Sequence, residues 1–309
     1  MNRISTLKFS ESGVRGIVGE GLTARLAADL GAAFGFYQGG GRIVVGRDTR
    51  STGGMFEQAV TAGLLAAGCE VLRVGVIPTP TLQYTVKSIE AAGGIAITAS
   101  HTFLSPGEAA GLFDLYNQGN LPYRAESDYR GIRVLPDAFS LHEKRIFEVI
   151  DVEAVRKKKF RVAVDCVNGV GAVFSAGFLQ RLGCEVFAIN DRPDGNFARS
   201  PEPLPENLGA LCRAVRENGC DVGFGQDPDG DRLTVVTEKG VALSTHYTVA
   251  LAVDQVLDGG DPGPVVANVQ TSRLVEMIAE SYGCSFYSAP VGEINVVEKM
   301  IEVDGVIGG

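Results

Sequence analysis

Three carboxylates alternate in the run DPDGDR, Asp227 to Arg232, directly after the apolar stretch Asp221 to Gly225. Pro228 and Gly230 turn the chain, so Asp227, Asp229 and Asp231 converge and repel one another, a crowding that a cation relieves. A small set of hard oxygen ligands favours Mg²⁺, which keeps positions open for water or phosphate oxygens. Asp227, Asp229, Asp231 and Glu238 also match positions 1, 3, 5 and 12 of a calcium-binding helix-loop-helix. That motif is rejected, because Arg232 stands where glycine must turn and Leu233 to Thr237 reads as a strand. A solvated acidic turn is the plain alternative, against which stand Arg232 and the apolar strand leading in.

Two other runs have chemical potential. In TASH, Thr98 to His101, a serine at the end of an apolar strand has a histidine beside it, the makings of a nucleophile. In SGVRGIVG, Ser12 to Gly19, two glycines let backbone amides approach an anion while Arg15 offers a planar fork of donors to phosphate. The run GRDTR, Gly46 to Arg50, reads instead as a structural salt-bridge cluster. Six cysteines lie far apart with no CxxC pair, so buried, reduced thiols are expected rather than a zinc or redox site.

The elements that must carry these residues follow one grammar. Arg42 to Asp48 reads as a strand, Met55 to Ala67 as a helix stopped by Gly68, and Cys69 to Val76 as a second strand. Pro78 and Pro80 mark a loop, Thr81 to Ala91 a helix, and Gly93 to Thr98 a third strand that delivers Ser100 and His101 to its carboxyl end. The pattern recurs with strands at 161–165, 184–189 and 221–225 separated by helices at 171–182 and 208–217. It starts a third time with strands at 264–269 and 284–288 and helices at 272–282 and 293–302, and Gly305 to Ile307 begins one more strand. The expected fold is α/β: successive β-α-β-α-β modules with parallel or mixed sheets, the third truncated. Expected module bounds are 1–150, carrying the serine loop, 151–258, carrying the acidic loop, and 259–309. Asp151 to Lys159 and Asp258 to Gly263 serve as joints.

Composition narrows the partners. With 28 Lys and Arg against 37 Asp and Glu the formal charge is −9, which supplies no global field for nucleic acid. No apolar run approaches the roughly 20 residues that cross a bilayer, and the amino terminus lacks a basic-then-apolar signal pattern. A soluble cytoplasmic protein is expected.

SGVRGIVG, VGRDTR, VIPTPT, TASH, PEPLPENL and DPDGDR occur in an order and spacing that resembles the α-D-phosphohexomutase family, which includes phosphoglucomutase, phosphomannomutase and phosphoglucosamine mutase. The likeness runs from Phe9 to Gly309. It implies that Ser100 is phosphorylated and that Mg²⁺ is held by its phosphate with Asp227, Asp229 and Asp231. It also implies that Ser12, Gly13, Arg15 and Arg232 bind phosphate or substrate, that Arg15 is catalytic, stabilising with the metal and Arg232 the charge that develops in transfer, and that His101 holds phosphate or assists proton movement. The substrates implied are a hexose phosphate and a hexose 1,6-bisphosphate.

Two departures from the family pattern stand out. After His101 the family continues with Asn-Pro and then a glycine and an acid/base lysine, where this chain has Thr102-Phe103-Leu104. Beyond the position of Gly309 the family has a sugar-gripping loop and a fourth domain. These departures motivate a second reading, a catalytically silent relative with a binding or regulatory role. A third, a phosphatase using Asp227 as nucleophile, leaves TASH and SGVRG unexplained.

Overall fold

The short antiparallel pair β1 (Lys8–Ser10) and β2 (Gly13–Arg15) leads into helix α1 (Ala24–Tyr37), which Thr23 caps by accepting from the Leu26 amide at 3.2 Å. The computed structural model describes residues 7–10, 13–98, 106–119, 123–125, 128–260 and 262–309. The first module continues through β3 (Gly41–Arg47), α2 (Gly53–Ala66), β4 (Cys69–Val76), α3 (Thr79–Ser88), β5 (Gly93–Ile97), α4 (Pro106–Gln118), β6 (Ile132–Val134) and α5 (Ala138–Val149). Its four-stranded sheet is ordered β5-β3-β4-β6 and is parallel throughout. Side chains of β3 alternate between two cores: Ile43 and Val45 pack with Phe34, Phe56 and Leu64 of α1 and α2, while Val44 packs with Leu82 and Ala138 on the α3 and α5 side. Burial of each such side chain stabilises the fold by about 1.5–3 kcal/mol.

The second module comprises α6 (Val152–Lys158), β7 (Arg161–Asp165), α7 (Gly171–Arg181), β8 (Glu185–Ile189), α8 (Gly209–Glu217), β9 (Val222–Gln226) and β10 (Leu233–Thr237). Its sheet, ordered β10-β9-β7-β8, is mixed, because β10 returns antiparallel to β9 while the rest run parallel. The stretch expected to be a charged joint thus contains a helix, N-capped by Asp151 and with Arg156, Lys157 and Lys158 in its last turn, where cations complement the helix dipole.

The third module follows with α9 (His246–Asp258), β11 (Val265–Asn268), α10 (Arg273–Ser281), β12 (Phe286–Ala289), α11 (Glu293–Val303) and β13 (Ile307–Gly308). Its parallel sheet is ordered β12-β11-β13. Ala250, Val253 and Leu257 of α9 pack with Val265 and Ala267 of β11 and Val275 of α10, so α9 contributes to the third core.

One expected loop is corrected. Pro78 and Pro80 do not keep α3 away until Thr81; Pro78 is the N-cap, and the helix starts at Thr79 with Pro80 inside its first turn. A proline there gives up an amide that has no partner within the helix, and its fixed φ suits helix entry. Parallel strands also point their carboxyl ends the same way, so Asp48, Pro78, Thr98 and, across the module boundary, Asp227 all follow strand tips.

Candidate active site

The turn after β9 is built by Asp227 itself. Its Oδ1 accepts from the amides of Gly230 at 3.0 Å and Arg232 at 3.1 Å, and Gly230 takes φ +73°, a left-handed conformation suited to glycine. The loop is wedged from below: the Val170 amide donates to the Pro228 carbonyl at 2.8 Å, and a Cβ on Gly169 would lie 2.5 Å from that same carbonyl oxygen. This brings a carboxylate oxygen from each of Asp227, Asp229 and Asp231 within 4.8 Å of the others. Asp227 and Asp229 are each only 5% exposed, while Asp231 is open to solvent.

Burial pushes the Asp227 carboxyl up to about 10, reinforced by the hydrogen-bonding and charge of Asp231 and Asp229. The Arg232 guanidinium, the nearest cation in sequence, donates instead to Glu202. Crowded oxygen donors whose ionisation is opposed by one another are the donor chemistry that a hard divalent cation reverses, so the residues present fit a metal ion.

Two sets of contacts hold the loop. Within the second module, Arg199 donates through Nη2 to the Gln226 carbonyl at 2.6 Å and through Nε to Asp165 at 2.8 Å, and Ser175 Oγ donates to Gln226 Oε1 at 2.7 Å. From the first module, Thr79 donates twice to Asp229, with its amide to the carbonyl oxygen at 2.9 Å and its hydroxyl to Oδ2 at 2.8 Å. Nearby, the Thr49 hydroxyl donates to the Asn168 carbonyl at 2.9 Å, and the Arg50 guanidinium lies 4.8 Å from the Phe197 ring centroid. Sequence reading missed Arg199, Asp165, Thr79 and Thr49 as supports. Only VIPTPT and VGRDTR, quoted for the resemblance, touched this set.

Gly13, Arg15, Asp48, Arg50 and Thr98 line a cleft of about 630 Å³ that α11 of the third module reaches through Glu293. The Gln83 amide donates to Glu293 at 3.0 Å, tying the first and third modules across it. The three aspartates do not line this cleft, whereas Asp48 does. Its amide donates to the Ile97 carbonyl at 3.1 Å, joining the tips of β3 and β5. Burial raises the Asp48 carboxyl above its ordinary range, and the charge of Asp229 adds to that rise, while Arg50 pulls it down.

The expected site residues divide accordingly. Asp227, Asp229 and Asp231 meet; Gly13 and Arg15 sit on β2 at the cleft; Arg232 supports Asp227 through its amide. Ser12, Ser100 and His101 lie outside the described residues, though Thr98 brings the chain to the cleft two residues before Ser100. GRDTR is the expected ion-pair cluster: Asp48 pairs with Arg50, and Glu57, 3% exposed, takes both Arg47 and Arg73. Lys299 pairs with Glu302 on its own helix. All six cysteines are free thiols, and burial drives Cys166 up to about 12, an unreactive range. Among the described residues no helix is long and apolar enough to cross a membrane.

Comparison with known proteins places the chain in a family. Three family profiles match in succession: phosphoglucomutase/phosphomannomutase alpha/beta/alpha domain I over residues 6–129, domain II over 141–240 and domain III over 244–309. The chain belongs to the phosphoglucomutase/phosphomannomutase family. It is therefore a phosphohexomutase by class. A "Phosphoglucomutase/phosphomannomutase" of Thermococcus kodakarensis is 36% identical over 322 residues, covering 97% of this mutase and 70% of that protein. A Methanopyrus kandleri protein named "Probable phosphoglucosamine mutase" is 36% identical over 319 residues, covering 97% and 69%. The crystal structure of a phosphoglucomutase/phosphomannomutase family protein from Burkholderia thailandensis matches the mutase with a TM-score of 0.83 at 26% identity, over 97% of this chain and 70% of that one.

Proposed function

We propose that this phosphohexomutase moves a phosphoryl group between hydroxyls of a hexose phosphate through Ser100, with Mg²⁺ held by Asp227, Asp229 and Asp231. The observation that carries this reading is the carboxylate triad, braced from two modules, one brace being Thr79, which follows β4 in the same sheet as β5, the strand that precedes Ser100. Arg15 and the amides of the Gly13 region supply phosphate donors from the cleft wall. Bound there, Mg²⁺ would neutralise negative charge on the transferring group.

In the forward exchange the P–O bond to Ser100 Oγ breaks, a bond to a sugar hydroxyl oxygen forms, and the proton lost by that hydroxyl ends on Ser100 Oγ. The resulting hexose 1,6-bisphosphate reorients and its other phosphate returns to Ser100. His101 holds phosphate or assists the proton. Arg232 engages Glu202 through Nη1 alone, which leaves the rest of its guanidinium fork to meet phosphate.

Incubating the full chain with glucose 1,6-bisphosphate and Mg²⁺ and mapping the product by mass spectrometry tests the reading. One phosphoryl group on Ser100 is expected, absent in Ser100→Ala and formed about 10²-fold more slowly in Asp227→Asn, the scale of several kcal/mol of lost charge stabilisation. Absence of transfer by a folded protein favours the silent, binding relative that Thr102-Phe103-Leu104 suggests. Transfer unaffected by Asp227→Asn removes the metal from the reading.

A further inference from the structure

Both hydrogen-bond donors of Thr79, the first residue of α3, go to one residue of the acidic loop. The N-cap of this helix is Pro78, whose side chain makes no capping hydrogen bond. The Thr79 amide, one of the helix's unpartnered leading donors, is satisfied by the Asp229 carbonyl at 2.9 Å. The Thr79 hydroxyl, free of any capping duty, donates to Asp229 Oδ2 at 2.8 Å, and Thr79 is 2% exposed. The next residue of the loop, Gly230, stands against Pro78 and Val170, so the loop is gripped between the first module and the second.

We infer that Thr79 is a positioning residue for the metal, fixing the Asp229 carboxylate from the neighbouring module so that cation affinity depends on the apposition of modules one and two. The inference rests on the metal reading above. A ligating carboxylate oriented by an outer hydrogen bond loses affinity when that bond is removed, typically by about 10–100-fold. Because Thr79 and Asp229 belong to different modules, the coupling is reciprocal: a cation that needs Asp229 in this orientation strengthens the junction that supplies it. A purely structural threonine would contribute to stability alone and leave the cation isotherm unmoved.

The test is Mn²⁺ binding to the full chain, followed by electron paramagnetic resonance of the free ion, with metal-free thermal melts alongside. Thr79→Val is expected to weaken binding by about tenfold or more, and Thr79→Ser, which keeps the hydroxyl, to stay within about threefold of the parent, with Thr79→Ala read in place of valine if the branched side chain prevents folding. A folded Thr79→Val or Thr79→Ala that melts lower without metal yet binds Mn²⁺ with parental affinity overturns the inference, as does a serine variant no better than valine. Parent protein that binds no Mn²⁺, or binds it equally well as Asp227→Asn, overturns the metal reading itself and this inference with it.

Discussion

Asp48 and Asp165 occupy the same place in successive modules, at the tip of the first strand of the sheet, and both carboxylates are fully buried. Each forms the same local turn, Oδ1 accepting from the amide two residues on, Arg50 at 2.9 Å and Val167 at 3.0 Å. Each then takes an arginine Nε on Oδ2, at 2.7 and 2.8 Å. The difference lies in where that arginine comes from. Arg50 is local, its side chain 32% exposed, and it reaches out to Phe197 of the next module. Arg199 comes from 34 residues away, is 9% exposed, and spends its remaining donors inside its own module on the carbonyls of Gln226, Ser200 and Pro201. One turn geometry therefore braces a junction in the first module and the root of the acidic loop in the second.

Breaking the Asp165 side of the comparison has the larger effect. Arg199→Ala leaves a carboxylate buried with only an amide and the Asn190 side chain, and releases the Gln226 carbonyl beside Asp227. Removing one partner of a buried pair costs about 3–5 kcal/mol, read as a fall in the urea midpoint at unchanged m-value. An unchanged midpoint would mean that Asp165 finds its compensation elsewhere.

This asymmetry also marks what could be read from sequence. Strands and helices bounded by glycine were legible, Cys69–Val76 to the residue, because apolar periodicity and its stops are local signals. Helix α1 was not, since Leu26, Ala27 and the whole run Gly31–Gly35 are buried, leaving no clean polar face to reveal a period. The triad was legible because alternation and two turn formers place its members within five residues. Arg199 and Thr79 were not, because their partners lie 34 and 150 residues away and nothing local distinguishes them from other polar residues.

Breaking the Asp48 side costs less and adds a pH signature. Arg50→Ala removes one charge-assisted hydrogen bond, worth about 1.5–3 kcal/mol at most and reduced by the partial exposure of the guanidinium, and keeps the backbone one. Arg50 pulls the Asp48 pKa down against burial, so its loss raises that pKa further above the unfolded value. A carboxyl raised in the folded state stabilises most fully below its unfolded pKa, and that stability is lost as pH rises through the folded pKa. The gap between parent and Arg50→Ala is therefore expected to narrow as pH falls from neutral toward the ordinary carboxylate range, measured by urea unfolding at each pH. A gap that widens on acidification would show that Asp48 stays ionised in the variant.

The third module supplies the control that separates turn from charge. At the tip of β11 stands Asn268, whose Oδ1 accepts from the Gln270 amide at 2.9 Å, the same two-residue turn with a neutral side chain. Asn268→Ala removes that hydrogen bond without stranding any charge, so the expected loss is about 0.5–1.5 kcal/mol. With no titrating group in the turn, the loss should be the same at every pH at which the protein is folded. If Asn268→Ala were to cost as much as Arg199→Ala, the turn itself, rather than the buried ion pair, would account for the strength of the second module's brace, and the contrast between Asp48 and Asp165 would reduce to backbone geometry.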